Sequence, residues 1–194
     1  MARNGILCVE GDWEEGLKRR RSVFPVLELI QSQWHVPFIY RTASTRDEFR
    51  NVIQEWLKAK YANYPILYLG FHGLPGSLQI GNEHIPIVDL FEFVDKGSGR
   101  LIHFGACETL SAPKKLLDQF LKMTKFVAIC GFKHEVDWLH SCALEILILD
   151  ELSKRVISAR NIHVFKNSIQ NIAGKLPNQL GFQVWERGRL IKKK

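Results

Sequence analysis

Five short apolar runs, spread along most of the chain, do more than any other feature to limit what it can fold into. They are Ile6 to Val9, Val36 to Tyr40, Ile66 to Phe71, Leu101 to Ala106 and Phe126 to Cys130. Each is nearly continuous instead of alternating, as expected of strands covered on both faces of a parallel sheet. Segments with helical period separate them. Val23, Leu27, Ile30 and Trp34 share one stripe, with Pro25 near its start. Thr45-Arg46-Asp47-Glu48 has the form of a capping box and opens a helix whose apolar face is Phe49, Val52, Ile53, Trp56 and Leu57. A third helix is expected from about Pro113, burying Leu116, Leu117, Phe120 and Leu121, and a fourth from about Trp138 to Arg155. Strands alternating with helices imply right-handed crossovers and a three-layer α/β/α architecture with a mostly parallel sheet of about six strands.

One interruption marks the fold further. Gly81-Asn82, flanked by Leu78, Ile80, Ile85 and Ile87, predicts a β-hairpin within Ser77 to Val88, inserted after the third strand. Near the end, Ile162, Phe165, Ile169 and Ile172 predict a last helix, and Phe182 to Trp185 a short edge strand. The organisation expected is therefore a single domain over residues 1–194. Its core covers about residues 5–155, and residues 156–194 supply a helix, the edge strand and a basic tail. At 194 residues with 46% hydrophobic content, such a chain can bury one substantial core.

Composition narrows the classes of function. No apolar run approaches the roughly 20 residues that span a bilayer, and the N-terminus lacks the order of a signal peptide, so no membrane partner and a cytoplasmic location are expected. Cys8, Cys107, Cys130 and Cys142 lack the dense spacing of a disulfide framework, which predicts reduced thiols. The formal charge of +7 raises the question of nucleic acid. The basic clusters, Lys18 to Arg21 and Lys192 to Lys194, carry no interleaved aromatics, so a solvated surface is the preferred reading. Neither G-x-G-x-x-G nor the P-loop pattern is present, which counts against a nucleotide-binding domain.

In an open parallel sheet, chemistry gathers beyond the carboxyl ends of the strands. Glu10, Gly11 and Asp12 follow strand one, His72-Gly73 strand three, Cys107-Glu108-Thr109 strand four, and His134 to Asp137 strand five. A cysteine hydrolase needs a thiolate, an acid/base and oxyanion donors. Cys107, expected just ahead of a helix whose free amides would lower its pKa, can supply the first, and His72 the second. The amides of Gly73 and Cys107 are the expected oxyanion hole. His103 shares a strand face with Cys107, and its preferred reading is a packed, hydrogen-bonded core residue. His103, Cys107, His134, His140 and Cys142 also invite a zinc reading, but no CxxC pair or HExxH helix organises them, and no metal is expected.

Two blocks, Leu67-Tyr68-Leu69-Gly70-Phe71-His72-Gly73 and Leu101-Ile102-His103-Phe104-Gly105-Ala106-Cys107-Glu108-Thr109, resemble those of the caspase-like (clan CD) cysteine peptidases. The Ala-Cys-Glu-Thr string is especially similar to the CHAT branch, the relatives of caspase and separase. Val127-Ala128-Ile129-Cys130 followed by Val136-Asp137 resembles that branch's third block, although His134-Glu135 stand where a tryptophan is usual. The resemblance implies a caspase-like fold, His72 as general acid/base, Cys107 as nucleophile and no cofactor. It also implies a substrate pocket at the ends of strands one, four and five, which here offer Glu10, Asp12, Gly105, Glu135 and Asp137. Apart from nearby Lys133 and His134 these are not basic, so the pocket is expected to prefer arginine or lysine before the scissile bond. Helix capping by Asp12 and Asp137 is the competing account of those two residues. The function expected is endopeptidase cleavage of a protein or peptide substrate, controlled by a separately encoded regulatory protein, in a bacterial stress or defence pathway. The alternative is a catalytically inactive binding or scaffold protein with the same fold.

Overall fold

A computed structural model describes residues 3–14, 21–94 and 97–186. The basic stretches Lys18 to Arg20 and Lys192 to Lys194 lie outside the described residues. Strands β1 (Ile6–Glu10), β2 (Phe38–Thr42), β3 (Ile66–Gly70), β7 (Leu101–Phe104), β8 (Ala128–Phe132) and β9 (Phe182–Glu186) form one sheet, ordered β2-β1-β3-β7-β8-β9. The first five are parallel, and β9 runs antiparallel to β8 along the edge. Every residue of β1, β3, β7 and β8 is buried, which is why their sequences read as continuous apolar runs.

Alternate residues of each strand face opposite helical layers. Leu7, Val9, Leu67, Leu69, Ile102 and Phe104 pack against helices α2 (Arg46–Trp56) and α3 (Lys114–Thr124). Ile6, Cys8, Ile66, Tyr68, Cys130 and Phe132 pack against α1 (Phe24–Trp34), α4 (Trp138–Ser153) and α5 (Ala159–Ala173). The three-layer α/β/α arrangement expected from the sequence is the one observed. Helix α2 carries both halves of its capping box: the Glu48 amide donates to Thr45 Oγ1 at 3.2 Å, and the Glu48 carboxylate accepts from the Thr45 amide at 3.2 Å. No helix among the described residues is long and apolar enough to cross a membrane.

The insertion after β3 is a separate antiparallel sheet of three strands, β4 (His72–Leu74), β5 (Ser77–Ile80) and β6 (Glu83–Pro86). Strands β5 and β6 form the expected hairpin, turning at Gly81-Asn82. Gly81 has φ 57°, and a Cβ there would lie 2.3 Å from the Ser44 carbonyl oxygen, so glycine meets both demands at once. Strand β4 escapes sequence reading because three residues are too few to show a period. It begins at His72, paired with Gln79, so the residue that ends the apolar block also starts the insertion.

Candidate active site

Strands β3 and β7 are hydrogen-bonded neighbours, in register from Ile66 with Leu101 to Leu69 with Phe104. Their parallel direction carries His72 and Cys107 out of the sheet at the same edge. The two backbones then come into contact, since a Cβ on Gly73 would lie 2.0 Å from the Cys107 carbonyl oxygen and 2.9 Å from its amide nitrogen. Only glycine permits that approach. Exposed His72 and half-buried Cys107 both line one cleft of about 530 Å³, with Gly73 and Gly105 among its other walls.

His72 is held by Trp13. Its Nε2 lies 2.9 Å from the Trp13 carbonyl oxygen. A carbonyl can only accept, so Nε2 carries the proton and the lone pair of the neutral ring is on Nδ1. The Trp13 indole packs edge-on against His72, with centroids 5.3 Å apart, and against Trp138 at 4.8 Å. Trp13 is fixed in turn by Glu10, whose Oε1 accepts from the indole N–H and, at 2.7 Å, from the Val23 amide. Glu10 Oε2 accepts from Ser22 Oγ at 2.7 Å and from the Tyr40 hydroxyl.

Glu10 is thus 2% exposed and engaged by four donors. It does not line the cleft, which corrects its placement in the substrate pocket. As an even-numbered residue of β1 it shares the Ile6 and Cys8 side, toward α1, where these donors wait. Asp12 also lies outside the cleft. It accepts from Ser44 Oγ at 3.0 Å and borders a smaller hollow of about 220 Å³ beside β2.

Cys107 does not stand at a helix N-terminus. Residues 107–110 form a turn, and α3 starts only at Lys114, so the expected dipole does not reach the sulfur. Burial instead pushes the thiol up from its ordinary value. Backbone hydrogen bonding at Val136 partly offsets this, and the charges of Glu135 and Glu108 add to it. Thr109 Oγ1 donates to the carbonyls of Ala106 and Cys107 at 3.1 and 3.2 Å. Between them, Glu108 takes φ 54°, uncommon for a non-glycine residue, and its amide donates to the His134 carbonyl at 3.2 Å. That bond ties the cysteine turn to the segment after β8.

A model for a family of unknown function, DUF6642, matches residues 3–185. The chain belongs to DUF6642. No curated protein matches this DUF6642 member in sequence. Among solved structures it is similar to caspase-1 from Spodoptera frugiperda, at 13% identity and a TM-score of 0.51, covering 86% of this chain and 78% of that one. It is also similar to pro-sf-caspase-1, at 13% identity and a TM-score of 0.56, covering 95% and 87%. These likenesses give the DUF6642 chain a caspase-like fold.

Of the other expected pocket residues, Gly105, Glu135 and Asp137 do line the cleft of this DUF6642 protein. Asp137 also caps α4, accepting from the His140 amide at 3.0 Å, and sits 3.4 Å from His140 Nδ1. His103 is fully buried, stacked on Tyr68, and is not part of the cleft wall. Among the described residues no three His, Cys, Asp or Glu side chains are grouped to hold a metal. Sequence reasoning missed Glu145. Though 3% exposed, it reaches the cleft floor from α4, and its Oε2 accepts from the Tyr68 hydroxyl at 2.8 Å. A lone carboxylate inside Ala143-Leu144-Glu145-Ile146-Leu147 was the available signal.

Proposed function

We propose that this DUF6642 protein is a cysteine endopeptidase of the CHAT-like type, with Cys107 as nucleophile and His72 as acid/base. The observation that carries the reading is the convergence of His72, Gly73 and Cys107 from two adjacent strand ends on a single cleft. The Ala-Cys-Glu-Thr string supports the assignment to that branch.

The reaction follows from the groups present. A thiol whose pKa is raised rests protonated at neutral pH, so a base is required. His72 Nδ1 takes the Sγ proton while Nε2–H stays on the Trp13 carbonyl, which stabilises the imidazolium. The thiolate attacks the scissile carbonyl carbon, and the amides of Gly73 and Cys107 receive the developing oxyanion. His72 then returns the proton to the departing amine as the C–N bond breaks, leaving a thioester on Cys107. Water, deprotonated by His72, hydrolyses the thioester and restores the thiol. Among the described residues four carboxylates, Glu108, Glu135, Asp137 and Glu145, face this cleft against one guanidinium, Arg21, which supports cleavage after a basic residue. A separately encoded protein as regulator belongs to the same proposal.

The competing reading, a binding scaffold that kept the fold, draws its support from the burial of Cys107. An acyloxymethyl ketone probe ending in arginine separates the two. Labelling of the wild type that is abolished by Cys107→Ala and by His72→Ala supports the peptidase. No labelling, alone or with the products of neighbouring genes, favours the scaffold.

A further inference from the structure

We infer that Glu145, rather than the strand-end acids, is the residue that selects a cationic side chain in the cleft, which makes arginine or lysine the preferred residue before the scissile bond. The inference rests on the peptidase reading for its substrate but on independent geometry for its site. Both oxygens of Glu145 are oriented by buried side chains. Oε2 accepts from Tyr68, and Oε1 lies 3.3 Å from His103 Nε2. On the far side of that ring, Cys130 Sγ is 3.4 Å from His103 Nδ1.

No lysine or arginine pairs with Glu145 among the described residues. A carboxylate offers about four acceptor sites, and two are used. A buried carboxylate with no lysine or arginine beside it is costly to ionise, and a substrate cation is the species that would offset that cost. Access comes through Gly105. A Cβ there would stand 2.8 Å from Glu145 Oε1 and 2.3 Å from the Tyr68 ring, so any larger residue would occupy the approach.

The rim acids are weaker candidates. Asp137 is exposed and engaged with His140, and Glu135 is exposed, so water and salt screen both. Arg21, the cation that faces the cleft among the described residues, is exposed and lies over the Trp138 ring at 6.0 Å. A guanidinium reaching past the rim would meet Glu145 where a charge-assisted bond is strongest.

The test measures peptide binding by calorimetry to the Cys107→Ala protein, comparing a peptide that presents arginine with the same peptide carrying citrulline, its uncharged isostere. The arginine peptide should bind about 10- to 100-fold tighter, the range of a hydrogen bond to a charged group. Glu145→Gln should erase the difference, and Asp137→Asn should keep it. Glu145→Asp, which withdraws the charge by one methylene, should shift the preference toward homoarginine, and it carries the test if Glu145→Gln does not fold. Equal binding of arginine and citrulline, binding of neither, or a preference that survives Glu145→Gln overturns the inference. An arginine preference lost in Glu145→Gln, in a wild type that hydrolyses nothing, upholds Glu145 and sinks the peptidase.

Discussion

Removing Glu10 tests whether the His72 side of the cleft is built outward from a single buried carboxylate. In Glu10→Ala, four donors lose their acceptor: the Trp13 indole, the Val23 amide, Ser22 Oγ and the Tyr40 hydroxyl. Hydrogen bonds to a charged group contribute about 1.5–3 kcal/mol each, but Ser22 and Tyr40 are part-buried and can turn to water. The Val23 amide cannot. Two to three bonds lost outright, less the cost of having desolvated the carboxylate, leave a net destabilisation of about 3–5 kcal/mol. For a chain of this size that is a fall in melting temperature of roughly 6–20 °C. Glu10→Gln keeps an oxygen for Trp13 and Val23 and offers its amide to two hydroxyls that can accept, so it should cost only about 1–2 kcal/mol. Urea titration gives the stabilities, and the rate of Cys107 labelling by the arginine-directed probe gives the effect on His72. The ordering wild type, Glu10→Gln, Glu10→Ala should hold in both measurements. A Glu10→Ala protein within about 1 kcal/mol of wild type, or one that labels at the wild-type rate, would refute the reasoning.

Two further outcomes follow from the same geometry. Gly73→Ala forces a methyl to within 2.0 Å of the Cys107 carbonyl and should reduce probe labelling by more than about 100-fold with the far-UV circular dichroism preserved, because the clash falls between β4 and the Cys107 turn and not on the six-stranded sheet. A Gly73→Ala protein that labels normally would show that the two backbones are not in contact. Alkaline pH should unfold the chain progressively. Cys8 and Tyr68, both fully buried, have pKa values raised well above 9.0 and 10.0, and Cys130 is raised too. The folded state therefore holds protons that the unfolded state releases. The stability these groups contribute is whole below the unfolded values and is lost as pH climbs past them, by up to about 1.4 kcal/mol per pH unit for each group. Urea midpoints that stay flat between pH 8 and pH 11 would contradict that sign.

The strand core was readable because burial on both faces leaves no room for polar residues, so β1, β3, β7 and β8 announce themselves as unbroken apolar runs. His72, Gly73, Cys107 and Gly105 were readable as cleft residues for a related reason: they stand at strand ends, where a parallel sheet collects its loops. What escaped depended on partners distant in sequence. Nothing near Glu10 reveals that Val23, Ser22 and Tyr40 will converge on it, so its charge suggested a pocket where the fold made a hub. Glu145 was hidden differently. Helix α4 is buried around most of its circumference, so its pattern singles out no face and gives no sign that one side opens on a cleft. The helix expected from about Pro113 does start there, at Lys114, but Cys107 stands apart from it because the intervening residues hydrogen-bond to the end of β8 and the segment beyond, as Leu110 does to Phe132 at 3.0 Å and Glu108 to His134 at 3.2 Å.

The perpendicular pair of indoles at the mouth of the cleft has a practical consequence. Trp13 and Trp138 sit close enough for their electronic transitions to couple, and one of them touches the imidazole. A molecule that settles there will disturb emission and near-ultraviolet dichroism without any dye attached. The protein carries its own optical gauge of occupancy, usable before a single natural substrate is in hand.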